Sequence, residues 1–242
     1  MKKNLILYLC EALGLGIFMA AAALAVIVFE YPGFSFHHYF QSPLLRRFLI
    51  GLVIGITALY ILNSSFGKKS GAHINPAVTL IQYRLGNISA INAIFYAIFQ
   101  CLGGAAGVYL VYLILPKYMS HPSVNFVVTQ PSSAGIIIAF ILEFLISFIL
   151  IAVVLYSNIK KQLNKYTASF VAILLLIFIT FESPYTGTSL NPARTFASAI
   201  VSGEWNSFWL YCIAPILGML CGDFFITKVL RLKPPKVTLH ND

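Results

Sequence analysis

Two short segments of this 242-residue chain open with the same triplet, Asn75-Pro76-Ala77 and Asn191-Pro192-Ala193. Proline suits the first position of a helix because its missing N–H would have no helical partner there, and asparagine suits the N-cap just before it. The spacing therefore predicts a helix starting at each asparagine. A helix N-terminus carries about half a unit of positive charge. Two such ends meeting in a low-dielectric medium oppose cations and hydronium. The free side-chain amides of Asn75 and Asn191 can meanwhile donate hydrogen bonds to the oxygen of a neutral molecule and interrupt a chain of waters that would otherwise relay protons.

Three more charged residues stand in apolar surroundings. Arg194 follows the second triplet directly, where the first triplet is followed by Val78. An arginine near the centre of a membrane helix costs about 2.5–3.5 kcal/mol on insertion scales, so its presence there reads as functional, with a structural tie to loop carbonyls as the alternative. Glu11 and Glu143 are each a lone acid within an apolar stretch. They invite two readings, a proton relay for coupled transport or a pair of acceptors for the backbone N–H groups of a neighbouring loop. No other membrane acid is expected to continue a relay, which favours the acceptor reading. The stretches 70–74 and 186–190 precede the triplets and are expected to be extended, with carbonyls lacking backbone partners. Such backbone survives in a membrane only when buried in protein or lining a water-filled cavity. The carbonyls of Gly71, Ala72, His73, Gly187, Thr188 and Ser189 are therefore expected to form a ladder of acceptors. The His73 side chain itself is expected to be structural.

What positions these residues is legible in the composition. The chain is 59% hydrophobic and only 10% charged, with a mean hydropathy of +0.86; soluble domains are typically about 45–50% apolar and about 25% charged. Six stretches reach the roughly 20 apolar residues that span a bilayer: about 5–29, 46–66, 89–114, 134–157, 167–182 and 207–230. The first runs on too long for a cleaved leader and reads as a retained helix. Two further apolar runs, 75–83 and 191–202, are too short to span and begin with Asn-Pro. The expected fold is an all-α membrane protein with six transmembrane helices and two re-entrant half-helices, in a single domain over 1–242.

The net charge of +9 lies in short basic pairs between apolar runs rather than in a patch with exposed aromatics, which argues against nucleic acid as a partner. Lys and Arg gather on the cytoplasmic side of membrane proteins. With the N-terminus inside, twelve basic residues fall on the inner side (Lys2, Lys3, Lys68, Lys69, Arg84, Lys160, Lys161, Lys165, Lys228, Arg231, Lys233, Lys236) and three on the outer (Arg46, Arg47, Lys117), with Arg194 set aside. Both termini are thus expected in the cytoplasm, in the cell membrane. Asp223, near the end of the last span, reads as an interfacial residue. Cys10, Cys101, Cys212 and Cys221 all lie in apolar stretches without CxxC spacing, so neither a disulfide framework nor a metal site is expected. No cofactor is implied, and no catalytic motif suggests an enzyme.

The two halves repeat. Residues 70–80 match residues 186–196 at a constant offset of 116, and Tyr96, Gln100 and Gly103 match Tyr211, Pro215 and Gly218 at 115. Each half, about 5–114 and 134–231, holds three spans, so the second copy is inverted and the equivalent segments meet at the midplane from opposite faces.

At the segments Ser70-Gly71-Ala72-His73-Ile74-Asn75-Pro76-Ala77-Val78 and Thr186-Gly187-Thr188-Ser189-Leu190-Asn191-Pro192-Ala193-Arg194 the chain resembles the aquaporin and glycerol-facilitator family, the major intrinsic proteins, over nearly its whole length. The resemblance implies one pore per protomer, a homotetramer in the lipid bilayer, loop-supporting glutamates at Glu11 and Glu143, and a filter arginine at Arg194. Counting back from the asparagines, it implies further filter positions at Gly55, Ile179 and Thr188. Water-selective members usually have an aromatic and a histidine where this chain has Gly55 and Ile179, so a wide constriction with an apolar wall is expected. Thr195 departs from the aspartate of glycerol facilitators, and Ala199 and Phe208-Trp209 look like the aquaporin branch. The expected function is a passive channel for water and for small neutral solutes such as glycerol, urea, ammonia or undissociated metalloid acids. The alternative is a proton- or ion-coupled carrier using Glu11 and Glu143.

Overall fold

The computed structural model describes residues 2–235; Lys236 lies outside them, as do the side chains of Lys2 and Lys3. The described residues form helices and loops with no strand. Eight helices matter here: α1 (Lys2–Glu30), α2 (Pro43–Asn63), α3 (Pro76–Arg84), α4 (Ala90–Ile114), α5 (Ile136–Ile159), α6 (Thr167–Phe181), α7 (Pro192–Ser202) and α8 (Phe208–Phe224), the last running on through a π turn. Among the described residues six helices are long and apolar enough to cross a membrane: α1, α2, α4, α5, α6 and α8. The half-helices α3 and α7 have 9 and 11 residues, and at about 1.5 Å per residue neither reaches across a hydrocarbon core of about 30 Å.

Local chemistry sets the helix starts. Ser42 accepts from Leu45 N (3.4 Å) ahead of Pro43, and Ser89 accepts from Asn92 N (3.3 Å) at the head of α4. Asn75 Oδ1 accepts from Ala77 N at 2.8 Å, and Asn191 Oδ1 from Ala193 N at 3.0 Å. Each supplies the acceptor that the first turn of a helix lacks.

The repeat is visible in the packing. Helix α1 packs mainly on α4 and α5 mainly on α8, while α2 and α6, equivalent to one another, pack together between the two pairs. Small residues let the backbones approach within each pair. A Cβ on Gly103 would lie 2.0 Å from Ala12 O of α1, and one on Gly218 would lie 2.2 Å from Phe144 O of α5. The half-helices cross over: α7, from the second half, lies on α4 of the first, and α3 touches α8. The outer faces carry large apolar side chains, with Ile137 71% and Ile114 68% exposed, as a lipid-facing surface requires.

Charges that departed from the simple topology have partners. Arg46 Nε pairs with Glu30 Oε2 at 3.0 Å and its Nη1 donates to the carbonyls of Phe40 and Gln41, while Arg47 Nε donates to Thr180 O at 3.0 Å. Asp223, near the end of the last span, is buried and paired rather than exposed. It is 3% exposed and pairs with Arg84 Nε at 3.3 Å, anchoring the last turn of α3 to α8. A cation at that helix end also suits its dipole. The sequence position near a span terminus concealed this partner, because α3 dips into the membrane and returns to the same face.

Gly218→Val would drive a side chain into the Phe144 carbonyl. We predict loss of monodisperse protein in detergent, or a stability loss beyond the about 1–3 kcal/mol usual for overpacking, whereas Gly86→Ala, where a Cβ meets nothing within 4 Å but φ is +77°, is predicted to cost only the about 1–2 kcal/mol of a left-handed residue and to leave the protein monodisperse. Detergent thermal unfolding and size-exclusion chromatography measure both.

Candidate functional site

The segments before α3 and α7 enter from opposite faces and are not uniformly extended. Gly71, Ala72 and Ile74 have φ of 87°, 44° and 40°, and Gly187, Thr188 and Leu190, each 116 residues later, have 81°, 52° and 58°. The left-handed region is uncommon for residues with a Cβ and an outlier for a β-branched one. This conformation therefore persists only where its surroundings enforce it.

Two buried glutamates do so. Glu11 accepts from His73 N (3.0 Å), Ile74 N (2.6 Å), Ser70 Oγ (2.7 Å) and Gln100 Nε2 (2.7 Å). Glu143 accepts from Ser189 N (2.7 Å), Leu190 N (2.8 Å) and Thr186 Oγ1 (2.7 Å). Tyr96 and Tyr211 hold the preceding carbonyls, their hydroxyls donating to Ser70 O at 2.9 Å and Thr186 O at 2.8 Å. With N–H groups turned toward the glutamates, the carbonyls of Gly71, Ala72, His73, Gly187, Thr188 and Ser189 receive no hydrogen bond from the described residues. All six residues line one cavity. The His73 ring packs against Tyr96 at 5.1 Å, with Nδ1 3.2 Å from Thr79 Oγ1.

The two helix tips meet and tie each other. Asn75 Nδ2 donates to Leu190 O and Asn191 Nδ2 donates to Ile74 O, both at 2.8 Å. An amide nitrogen carries two hydrogens, so each asparagine keeps one for whatever occupies the cavity, which both residues line. That cavity measures about 930 Å³ and runs from Glu30, Arg47 and Pro184 at one end, past the asparagines, to Lys68, Gln82 and Lys165 at the other.

Arg194 lies on the wall between the asparagines and the first of these ends. Its Nη1 donates to Val127 O at 2.7 Å, a carbonyl of the loop after α4 that also accepts from Ser198 Oγ at 3.2 Å. Thr129 and Ser189 hydroxyls both meet Thr195 Oγ1, at 2.8 and 2.6 Å, so the same loop is bound to α7. Ile179 and Thr188 also line the cavity, but Gly55 does not. On α2 the lining residues are Arg47, Ile50, Ile54, Ala58, Leu62 and Asn63. Gly55 sits one residue round the helix, where a Cβ would stand 2.7 Å from Ala172 O of α6. An ungapped count along the chain gives the level of a residue, but the rotation of its helix decides the face, and here the face belongs to helix packing.

One buried acid was not singled out from the sequence. Glu182, 7% exposed, is hydrogen-bonded to the hydroxyls of Thr186 and Thr188, and Thr186 links it to Glu143. Another acid thus does adjoin Glu143, contrary to the expectation that none would. It ended an apolar stretch and so read as a span terminus. The available signal was its four-residue spacing from Thr186 and the absence of a repeat partner, since Phe66 stands 116 positions earlier.

The profile of the family described as Major intrinsic protein matches residues 2–225. Among curated relatives, mouse (Mus musculus) Aquaporin-4 is 34% identical over 192 residues, covering 76% of this chain and 58% of that protein. Cattle (Bos taurus) Aquaporin-4 is 33% identical over 180 residues, 73% of this chain and 55% of its own length, so the match spans somewhat over half of these relatives. Aquaporin C of Dictyostelium discoideum is 28% identical over 83% of this chain and 75% of its own length. In fold, the chain is similar to the X-ray structure of the aquaglyceroporin from Plasmodium falciparum, with a TM-score of 0.80 and 22% identity over 94% of this chain and 97% of that one.

Glu143→Ala would leave Ser189 N and Leu190 N buried without an acceptor. At about 1–3 kcal/mol for each orphaned donor, we predict a marked drop in thermal stability in detergent, larger than for Glu143→Gln, which keeps one acceptor oxygen. Gly55→Phe is predicted to break the α2–α6 contact and lower the yield of folded protein, rather than to narrow the cavity in an otherwise intact fold; size-exclusion chromatography distinguishes the two outcomes.

Proposed function

This chain belongs to the major intrinsic protein family and is an integral, multi-pass membrane protein, and on that premise we propose that it is a passive channel for water and small neutral solutes. The observation that carries the reading is the pair Asn75 and Asn191. Each caps a half-helix with Oδ1 and braces the opposite loop with one Nδ2 hydrogen, leaving the other for the cavity. A molecule passing there accepts from two fixed donors and has two helix N-termini facing it. A water so held cannot accept a proton from its neighbour, and a cation meets like charge.

The ladder of six carbonyls replaces the hydrogen bonds that a permeant loses to bulk water. Arg194 adds a fixed cation with its guanidinium oriented by Val127 O. Ile50, Ile54 and Ile179 give the same cavity an apolar stretch of wall. A constriction with one donor edge and one apolar wall suits compact molecules of mixed polarity, which supports glycerol, urea, ammonia or undissociated metalloid acids passing beside water. The bias of basic residues supports both termini in the cytoplasm of a cell-membrane protein. The family resemblance supports a homotetramer.

A coupled carrier using Glu11 and Glu143 is disfavoured by their placement. Both are 0% exposed, neither lines the cavity, and their oxygens already hold loop N–H groups.

Stopped-flow swelling of proteoliposomes tests the reading. Water flux, and flux of at least one of glycerol, urea or ammonia, is expected to follow the osmotic or solute gradient without proton uptake; flux that requires a proton gradient and disappears in a folded Glu11→Gln protein would instead identify a carrier. Arg194→Val is expected to retain water flux while raising proton or cation leak by about tenfold, the effect of removing about 1.4 kcal/mol of barrier. An unchanged leak would remove Arg194 from the ion barrier.

A further inference from the structure

The Thr186 hydroxyl has one hydrogen and two carboxylate neighbours. Its oxygen lies 2.7 Å from Glu143 Oε1, is also hydrogen-bonded to Glu182 Oε1, and accepts from Thr188 N at 3.1 Å. A single hydroxyl hydrogen cannot serve both carboxyl groups. The first half of the repeat provides the contrast. Ser70, 116 residues before Thr186, meets one carboxylate only, that of Glu11 at 2.7 Å, and Phe66 stands where Glu182 would be. The second half therefore needs one more hydrogen than its donors supply.

That hydrogen belongs on Glu182. Glu143 receives two backbone N–H groups besides the hydroxyl, whereas Glu182 meets only hydroxyls, those of Thr186 and Thr188. The chain of donors then runs from Glu182 Oε1–H to Thr186 Oγ1 and from Thr186 Oγ1–H to Glu143 Oε1. The other oxygen of Glu182 accepts the Thr188 hydroxyl at 2.5 Å. Thr188 lines the cavity and Glu182 does not, so this bond turns a pore-wall hydroxyl away from the conduction path.

We propose that Glu182 is a positioning residue of the constriction, holding Thr188 while protonated, and that loss of its proton rearranges the wall and changes the preference among permeants. The proposal rests on the channel reading. When the proton leaves to water, two carboxylates flank one hydroxyl and repel; Glu182 withdraws from Thr186, and Thr188, bonded to its second oxygen, moves with it. The other titratable or charged groups facing this site are Glu143 from α5, Arg194 from α7, Tyr211 from α8, and Arg47 from α2, which is bonded to Thr180 O.

The test is the ratio of glycerol to water permeability in proteoliposomes, read by stopped flow from about pH 5 to about pH 9, a range wide enough to bracket a buried carboxyl group. The wild-type ratio is expected to change by about threefold or more across the range. Glu182→Gln, whose amide donates to Thr186 and whose carbonyl accepts from Thr188 at any pH, is expected to hold the acid-side ratio throughout. Should that variant not fold, Thr188→Val, which cuts the link while keeping the carboxyl, is expected to flatten the profile instead. A flat wild-type ratio overturns the proposal, as does a pH profile that survives unchanged in either variant. Absence of any permeation in the wild type would overturn the channel reading itself, an outcome separate from a channel that conducts with a pH-independent ratio.

Discussion

A backbone amide has no water to turn to inside a bilayer, and each one left unpaired costs several kcal/mol. Two segments of this chain enter the membrane without helical hydrogen bonds, and the remaining architecture answers that constraint. Glu11 and Glu143 take the N–H groups of His73, Ile74, Ser189 and Leu190. The same contacts turn the opposing carbonyls toward the cavity and hold Ala72, Ile74, Thr188 and Leu190 at left-handed φ. Burying a carboxylate is costly when it stands alone; here each one is surrounded by donors, which is the condition under which burial is tolerated. One interaction therefore fixes the loops, directs the acceptors and delivers Asn75 and Asn191 to the centre.

Symmetry supplies the frame, and departures from it supply character. Asparagine caps, glutamate acceptors, tyrosine braces and glycine contacts occur in both halves. Arg194 has Val78 as its counterpart, Glu182 has Phe66, and Pro215 has Gln100. All three polar differences alter what one loop offers that the other does not. Arg194 and Glu182 lie in the second half, which therefore carries the extra cation and carboxyl group, while in the first half Glu11 receives an additional amide donor from Gln100. A strictly symmetric molecule would have two equivalent mouths; here Arg194 stands on the cavity wall toward one end only.

Close helix packing decides which residues of α2 line the cavity. Gly55 allows α2 to rest on the backbone of α6 at Ala172, and the same rotation presents Ile50 and Ile54 to the cavity. Ile50 and Ile54, rather than the glycine counted from the sequence, therefore line the cavity beside Ile179. Removal of the polar face of Thr188 by Glu182 extends the same tendency.

Much of this was legible in the residues alone. Apolar runs of spanning length, a repeat at a fixed offset and an odd number of spans per half determine six helices, two half-helices and inversion, because hydrogen-bonded helix is the form of an isolated apolar span in lipid. Asparagine before proline determines where α3 and α7 begin, because capping is a local property of neighbouring residues. Tertiary structure alone decided which face of α2 meets the cavity, since a one-residue rotation separates Ile54 from Gly55 at nearly the same depth. It also decided that Asp223 would pair with Arg84, 139 positions away by their numbers in the chain, and that Glu182 would share a hydroxyl with Glu143. Linear spacing carries the period of a helix and the chemistry of its ends; the partner of a buried charge depends on which helices lie side by side.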